Sequence, residues 1–423
     1  MNQDKTKGTR DFYPEEMEIE NYILDTWKKV AKSYGYKEIE GPILESAEIY
    51  KKSGQEIPEQ TYQLQDKSGR QLVLRPEMTP TIARMILSRK DLSKPIKWFC
   101  TPRCFRYESP QLGRQREFYQ LNLDCLGSND MQADAEIIAT LIDIMKAFGL
   151  TEKDFYIRIS NRKVLQSLIQ SIGFPNQQEV LRLVDKKDKL TEETFLFSLK
   201  ELGLSKDQIE RLLSFLNISQ IDKIQMYCKD LVGKQGYEEL SSLLNCLEKM
   251  NLTKYIKIDL TIMRGFDYYT STIFELFDTE KKFRALAGGG RYDDLAGIPG
   301  VGYGFGDVVL ELFLEEKGKL EKIRKEKQKA IYILYIDETY YPEAFRLAHD
   351  LRDIIPIDMN VMKKSVSKQF EYCNQQGYPY TIILGEDEIK KKKFKLKDMK
   401  TGKESLKTKE QLETFFKKLQ SAS

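Results

Sequence analysis

Between about residues 166 and 250 the chain changes character, and this change limits the available folds more than any other feature. Leucine and lysine dominate there, apolar residues recur at helical spacing, and no cluster that could carry chemistry stands out. On either side the apolar runs are short and strand-like: 71–74, 97–104, 118–126 and 155–159 before it, then 256–260, 271–277 and 301–306 after it. The block therefore reads as a helical module inserted into a strand-rich domain. Helices are expected over 15–34, with Ile19, Ile23, Trp27, Val30 and Ala31 on one face, from Asp134 to about Phe148, and from Gly306 to about Lys319.

After a dense charge run at 315–329, read as a solvated helix end and linker, strand and helix patterns alternate. Strands are expected at 331–336, 357–361 and 380–384, and helices at 342–353 and 367–375, which makes a small α/β domain. The length of 423 residues accommodates two to four domains, and 41% hydrophobic residues indicate a globular chain.

Charge and metal-ligand content narrow the chemistry. Lys+Arg of 68 against Asp+Glu of 65 leaves only +3, so any nucleic-acid contact must come from local patches. One patch is 390–397, lysines around Phe394, which reads equally as a backbone-binding surface or a solvated hairpin edge. The six cysteines form no Cys-x-x-Cys pair and the only histidine is His349, so no zinc site of usual spacing is expected. No disulfide framework is indicated, which suits a reducing compartment. Residues 1–5 carry no apolar signal core, and no segment is long enough to span a bilayer. His349 lies in an amphipathic helical pattern and reads as a partly exposed helix residue. The chemistry must then run on arginines, carboxylates, tyrosines and backbone.

Four tracts have that content. Arg264-Gly-Phe-Asp-Tyr-Tyr-Thr270 puts a fixed cation beside an aromatic, polar pocket. Phe105-Arg-Tyr-Glu108 leads through a polar loop into Glu117-Phe-Tyr-Gln120, and Leu74-Arg-Pro-Glu-Met-Thr79 adds a carboxylate and a hydroxyl. Gly288-Gly-Gly-Arg-Tyr-Asp293 reads as a glycine-rich loop flanking the same chemistry. An arginine fork grips phosphate in a way lysine cannot copy, so two distant arginines beside aromatics and carboxylates suggest a nucleotide under attack. Arg106 could grip an α-phosphate, Glu108 accept from an adenine amino group, and Phe118 stack beneath the base.

The order and spacing of these tracts resemble class II aminoacyl-tRNA synthetases, specifically the histidyl-tRNA synthetase family. The likeness begins at Lys7-Gly-Thr-Arg-Asp-Phe-Tyr-Pro14. It runs through 35–42 (motif 1), 74–77, 105–124 (motif 2), 264–270 and 289–293, and ends with Ile383-Leu-Gly-Glu-Asp-Glu388. The resemblance implies an α+β fold: an antiparallel-sheet catalytic domain with a helical insertion, plus a C-terminal α/β anticodon-binding domain. The implied boundaries are 1–165 and 251–325 for the two parts of the catalytic domain, 166–250 for the insertion and 329–423 for the anticodon domain. It also implies a cytoplasmic or organellar homodimer formed through motif 1, with histidine, ATP with Mg2+ and tRNA(His) as its partners, and no membrane.

Carried over by position, Arg106 and Arg264 would hold the α-phosphate. Glu77, Thr79 and Gln120 would receive the amino group of histidine. Asp124 and Tyr269 would read the imidazole nitrogens, with Tyr268 and Tyr292 in the same pocket. Glu108, Arg114 and Phe118 would bind ATP, and Gln111 and Arg114 would lie near the tRNA acceptor end. The chain departs from the family pattern at three positions. Motif 3 usually carries an arginine that covers the adenine; Val309 stands there, with Arg114, Arg116 and Arg284 as possible substitutes. Ser109 and the short Asp124 replace a common arginine and glutamate. The alternative is a catalytically inactive relative: a regulatory subunit of an ATP phosphoribosyltransferase, or a histidine-sensing protein.

Overall fold

The structure, a computed structural model, describes residues 4–50, 60–89, 91–174, 177–187, 190–262, 269–293, 297–325 and 330–421. The chain divides into two compact units, 1–324 and 325–423.

The first unit is built on a nine-stranded sheet. Its strands run in the order β1 (Lys37–Glu38), β5 (Ile96–Cys100), β7 (Glu117–Leu126), β12 (Gly300–Gly306), β11 (Ala287–Tyr292), β10 (Thr272–Asp278), β8 (Phe155–Asn161) and β9 (Ile256–Ile258). The ninth, β6 (Arg103–Phe105), pairs with β7. Among the described residues only the two outer pairs of this sheet, β1–β5 and β8–β9, are parallel. A second, antiparallel sheet joins β2 (Leu44–Ser46), β4 (Gln71–Leu74) and β3 (Tyr62–Gln65).

Side chains alternate across the pleat, and here the two faces have opposite character. On one face Phe99, Leu121, Leu123, Cys125, Val301, Tyr303, Phe305, Phe274 and Leu276 join the main core. Three helices close that core: α1 (Pro14–Ser33), α3 (Met131–Ala147) and α10 (Asp307–Glu316). Helix α1 carries Pro14 in its first turn, where a missing N–H costs nothing, and buries Ile19, Ile23, Trp27, Val30 and Ala31. The opposite face is polar and glycine-rich and is covered at one end by α2 (Thr79–Leu87).

Between β8 and β9 the described residues form six helices, α4 (Arg162–Ile172), α5 (Gln177–Asp185), α6 (Glu192–Glu201), α7 (Lys206–Leu216), α8 (Ile221–Gln225) and α9 (Leu231–Lys249). Glu239 of α9 ties this module to the sheet by accepting from Asn161 Nδ2 (3.1 Å), Lys163 Nζ and Ser271 Oγ (both 2.5 Å).

The second unit follows α11 (Glu321–Lys325). It is a sheet in the order β14 (Ile357–Met359), β13 (Ile331–Tyr335), β15 (Tyr380–Leu384), β16 (Phe394–Asp398), β17 (Glu404–Lys407). Helices α12 (Tyr341–Leu351) and α15 (Lys409–Ser421) pack one face, and α13 (Val366–Gln376) packs the other. A short helix, α14 (Glu386–Lys391), precedes β16.

Three expectations need correction. The run at 97–104 is two strands, because Pro102 cannot donate to a ladder. The glycine-rich tract is not a loop but strand β11, paired on both sides. The lysine run at 390–397 is not a sheet edge: β16 lies between β15 and β17. Its lysines face nearby acids, Lys390 with Glu386, Lys391 with Asp387 at 3.8 Å, and Lys397 with Glu404 at 3.5 Å. His349 is exposed on α12.

Candidate active site

The polar face of the sheet is assembled by register. Gln120, Asn122 and Asp124 alternate along β7 with the core residues Leu121, Leu123 and Cys125. Opposite them on β12 stand Gly306, Gly304 and Gly302. On β11, Gly288 pairs with Gly304 and Gly290 with Gly302, so four glycines form a floor two strands wide.

The floor is bare because its neighbours fill the space where side chains would stand. A Cβ on Gly302 would overlap Asp124 Oδ1 and come within 2.8 Å of the Leu123 carbonyl oxygen. One on Gly304 would lie 2.9 Å from Gln120 Nε2, and one on Gly290 would lie 3.0 Å from the Tyr269 ring. The glycines thus let large polar and aromatic side chains lie flat against the sheet.

At one end of this floor, Tyr292 donates its hydroxyl proton to Asp124 Oδ1 at 2.6 Å. The Tyr269 ring stacks on Tyr292 with 6.5 Å between centroids. Asp124 is 2% exposed, and its Oδ2 has no hydrogen-bond partner among the described residues. Burial pushes the Asp124 carboxyl up to about 7, against the pull of the Tyr292 hydrogen bond. Burial and the neighbouring Asp124 charge raise the Tyr292 phenol well above its ordinary value, so it stays a donor.

The wall facing this floor comes from residues 74–79. Arg75 is buried and fastens the segment: Nε donates to the Arg103 carbonyl at 2.9 Å and Nη1 to the Gly41 carbonyl at 2.7 Å. Two residues on, Glu77 is 1% exposed, and Thr79, at the first turn of α2, is 6% exposed. Arg106 reaches the same wall, donating from Nε to the Pro76 carbonyl at 2.9 Å. Its guanidinium carbon lies 5.1 Å from the centre of the Phe118 ring, a cation–π contact at the base of the β6–β7 hairpin. Gln120 donates from Nε2 to Asn122 Oδ1 at 2.8 Å.

The hairpin loop is closed by Arg106 N to Arg116 O (2.9 Å) and by a narrow turn, Arg114 N to Gln111 O (2.8 Å), with Gly113 at φ 74°. Glu108 Oε2 lies 3.2 Å from Arg114 Nε, so these two residues engage each other across the loop.

The sequence-predicted residues therefore fall into three groups. Asp124, Tyr269 and Tyr292 share one pocket, with Gln120 further along the floor. Glu77, Thr79, Arg106 and Phe118 form the wall and the base of the hairpin, while Glu108, Gln111 and Arg114 lie in its loop. Arg264 and Tyr268 lie outside the described residues. Arg291 does not belong with them: it points to the opposite face, where its guanidinium pairs with buried Asp134 and donates to the Ser128 carbonyl at 2.8 Å. Sequence reasoning missed Asn122, although the period-two alternation from Gln120 through Asp124 carried the signal. It also missed Glu275, buried on β10 opposite Gly288.

Comparison with known proteins gives one consistent answer. The family profile described as histidyl-tRNA synthetase matches residues 8–304, and an anticodon-binding-domain profile matches 330–419. A histidine–tRNA ligase of Thermoplasma volcanium is 36% identical over 99% of this chain and 99% of its own length. One of Leptospira biflexa is 37% identical over 93% of this chain and 92% of its own length. The crystal structure of the histidyl-tRNA synthetase from Nostoc superposes with a TM-score of 0.82 at 26% identity, covering 99% of both chains. With a full-length match in sequence and in fold, the chain belongs to the histidyl-tRNA synthetase family.

Proposed function

We propose that this protein is an ATP-dependent histidine–tRNA ligase. It activates histidine as histidyl-adenylate and transfers it to the terminal ribose of tRNA(His). The observation that carries the reading is the buried pocket of Asp124, Tyr292 and Tyr269 over a glycine floor. A neutral imidazole offers one donor and one acceptor. Asp124 Oδ2 accepts its N–H, and Tyr269 serves the other ring nitrogen. A side chain lacking that donor leaves the buried carboxylate unmatched, which gives the selectivity.

In the first step a carboxylate oxygen of histidine attacks the α-phosphorus, the bond to the β-phosphate bridging oxygen breaks, and pyrophosphate leaves. No strong base is needed, since the carboxylate is ionised at pH 7. The requirement is in-line positioning and stabilisation of charge on the α-phosphate. Glu77, Thr79 and Gln120 hold the amino group of histidine, and Arg106 and Arg264 hold the α-phosphate from two sides. Phe118 lies under the adenine, with Glu108 and Arg114 beside it. ATP enters as its magnesium complex, the metal arriving on the phosphates. In the second step a ribose hydroxyl of the tRNA attacks the activated carbonyl and AMP leaves, with Gln111 and Arg114 near the acceptor end.

In this reading residues 1–165 and 251–325 are the catalytic domain, 166–250 the insertion and 329–423 the anticodon-binding domain. The working form is a homodimer joined through the 35–42 segment, and the site of action is the cytoplasm. The test is histidine-dependent exchange of labelled pyrophosphate into ATP, followed by charging of tRNA(His). Exchange that requires histidine and collapses in Glu77→Ala and Arg264→Ala is expected. Folded protein that binds histidine yet exchanges no pyrophosphate would overturn the reading in favour of a regulatory or sensing relative.

A further inference from the structure

Three parts of the first unit meet beside the β6–β7 hairpin: the segment 8–12 ahead of α1, the hairpin loop and the start of α10. The Gly8 carbonyl accepts from Arg116 N at 2.7 Å and from Glu117 N at 3.3 Å, where the loop returns into β7. Gly8 has φ 84°, and a Cβ there would lie 2.7 Å from Arg116 Cγ and 3.0 Å from Pro110 Cγ. The loop thus packs directly on the bare backbone of residue 8. On its other side the loop turn rests on α10, with Val309 Cγ2 3.0 Å from where a Cβ of Gly113 would be.

Arg10 closes the third side of this triangle. Its Nη2 pairs with Asp307, the fully buried first residue of α10, and its Nη1 lies 3.5 Å from Glu311 Oε2, one turn further on. The same guanidinium lies over the Phe12 ring, 4.8 Å from its centre, and Phe12 meets Tyr119 of β7 edge-on at 6.3 Å. Arg103 covers the Tyr119 ring at 4.8 Å and pairs with Glu117 at 2.7 Å, which joins the segment to both strands of the hairpin. One side chain therefore ties the segment that anchors the loop, through Gly8, to the helix on which the loop rests, through Val309. A guanidinium suits this place because its planar fork spans two carboxylates, where an ammonium is a single point charge.

We infer that Arg10 is a positioning residue for the hairpin loop: by fixing segment 8–12 to α10 it sets the place from which Glu108 and Arg114 meet ATP. The assignment of those two residues to ATP rests on the adenylation reading above; the fixing of the loop does not. The histidine pocket is held separately, by the hydrogen bond from Tyr292 to Asp124. Loosening the segment therefore acts on one substrate and spares the other.

Removing Arg10 alone would strand the buried Asp307 carboxylate. The main variant is therefore Arg10→Met combined with Asp307→Asn, which removes both charges. Gly8→Ala loosens the contact from the loop side and leaves the ion pair intact, and Arg10→Lys keeps the charge without the fork. Each is compared with wild type by amide hydrogen–deuterium exchange, by ATP and histidine KM in pyrophosphate exchange, and by melting temperature. The double variant and Gly8→Ala are expected to speed amide exchange over 106–117 about tenfold. Both are expected to raise ATP KM about tenfold, with histidine KM and exchange in the rest of the chain as in wild type. Arg10→Lys falls between them and wild type. Unchanged loop exchange in both variants overturns the inference, as does an equal rise in both KM values with faster exchange throughout the chain and a lowered melting temperature. Wild-type protein that forms no labelled ATP refutes the adenylation reading instead, and amide exchange over 106–117 still reports on Arg10.

Discussion

Tyr292 donates to Asp124 across the junction of β7, β12 and β11, and the other carboxylate oxygen of Asp124 is buried with no hydrogen-bond partner among the described residues. The pair fixes the rotamer of Asp124 before any ligand arrives. In the proposed reading the imidazole N–H matches that buried oxygen, and leaving such an acceptor unmet costs about 1–3 kcal/mol.

Tyr292→Phe keeps the ring and removes that anchor. Histidine KM is expected to rise about tenfold with ATP KM unchanged, and Asp124→Asn is expected to do the same or more. Steady-state pyrophosphate exchange at varied histidine and at varied ATP separates the two constants. Equal effects on both substrates would refute this assignment.

Gly302→Ala and Gly304→Ala test the floor. At Gly302 the new methyl meets Asp124 Oδ1 and the backbone oxygen of Leu123, so a strand must move. At Gly304 it meets only the end of the Gln120 side chain, which can swing away. Gly302→Ala is expected to abolish histidine binding and to cost about 2 kcal/mol of stability. Gly304→Ala leaves most of both. Denaturant melts and calorimetric titration with histidine read the contrast, and a reversed order would count against the packing argument.

Glu20 of α1 sets a pH dependence. Burial, then the charge of Asp307, pushes its carboxyl up to about 8, and Arg10, paired with Asp307, opposes the shift. The folded protein therefore holds a proton here that the unfolded chain has lost. The stabilisation is full below about pH 4.5 and disappears as pH rises through about 8. Glu20→Gln carries no such titration, so its stability relative to wild type is expected to increase between pH 5 and pH 9. Thermal melts of both proteins across that range check the sign; a flat difference would show that Glu20 is ionised throughout.

Arg291 and Asp134 lie away from the pocket although Arg291 adjoins Tyr292 in sequence. Arg291 is 2% exposed and Asp134 is fully buried. Removing one partner strands the other, at a cost of about 3–5 kcal/mol. Asp134→Asn is expected to lower the denaturation midpoint sharply while the surviving folded fraction keeps wild-type KM values for histidine and ATP. A selective rise in histidine KM would instead place Arg291 in the site.

Much of the molecule is determined locally. The 3.6-residue spacing of Ile19, Ile23, Trp27 and Val30 fixes which face of α1 is buried, and the leucine pattern after residue 166 fixes a helical module. The alternation of Gln120, Asn122 and Asp124 with leucine and cysteine is also local, and with it the identity of a polar sheet face. Tracts such as Leu74–Thr79 and Phe105–Gln120 carry their chemistry in residue type alone, so the site was legible as a set of residues before it was legible as a place.

Pairing and register belong to the tertiary structure. Glycine has weak strand preference, so Gly288-Gly289-Gly290 reads as a turn until two neighbours pair with it and large side chains fill the space its missing Cβ atoms leave. The same holds for Arg291 and Tyr292: adjacent residues on a strand point to opposite faces, so one closes an ion pair in the core and the other joins the pocket. Composition cannot assign such a pair to faces. Only the register of β11 against β10 and β12 does, because a slip of one residue would exchange every side chain between core and site.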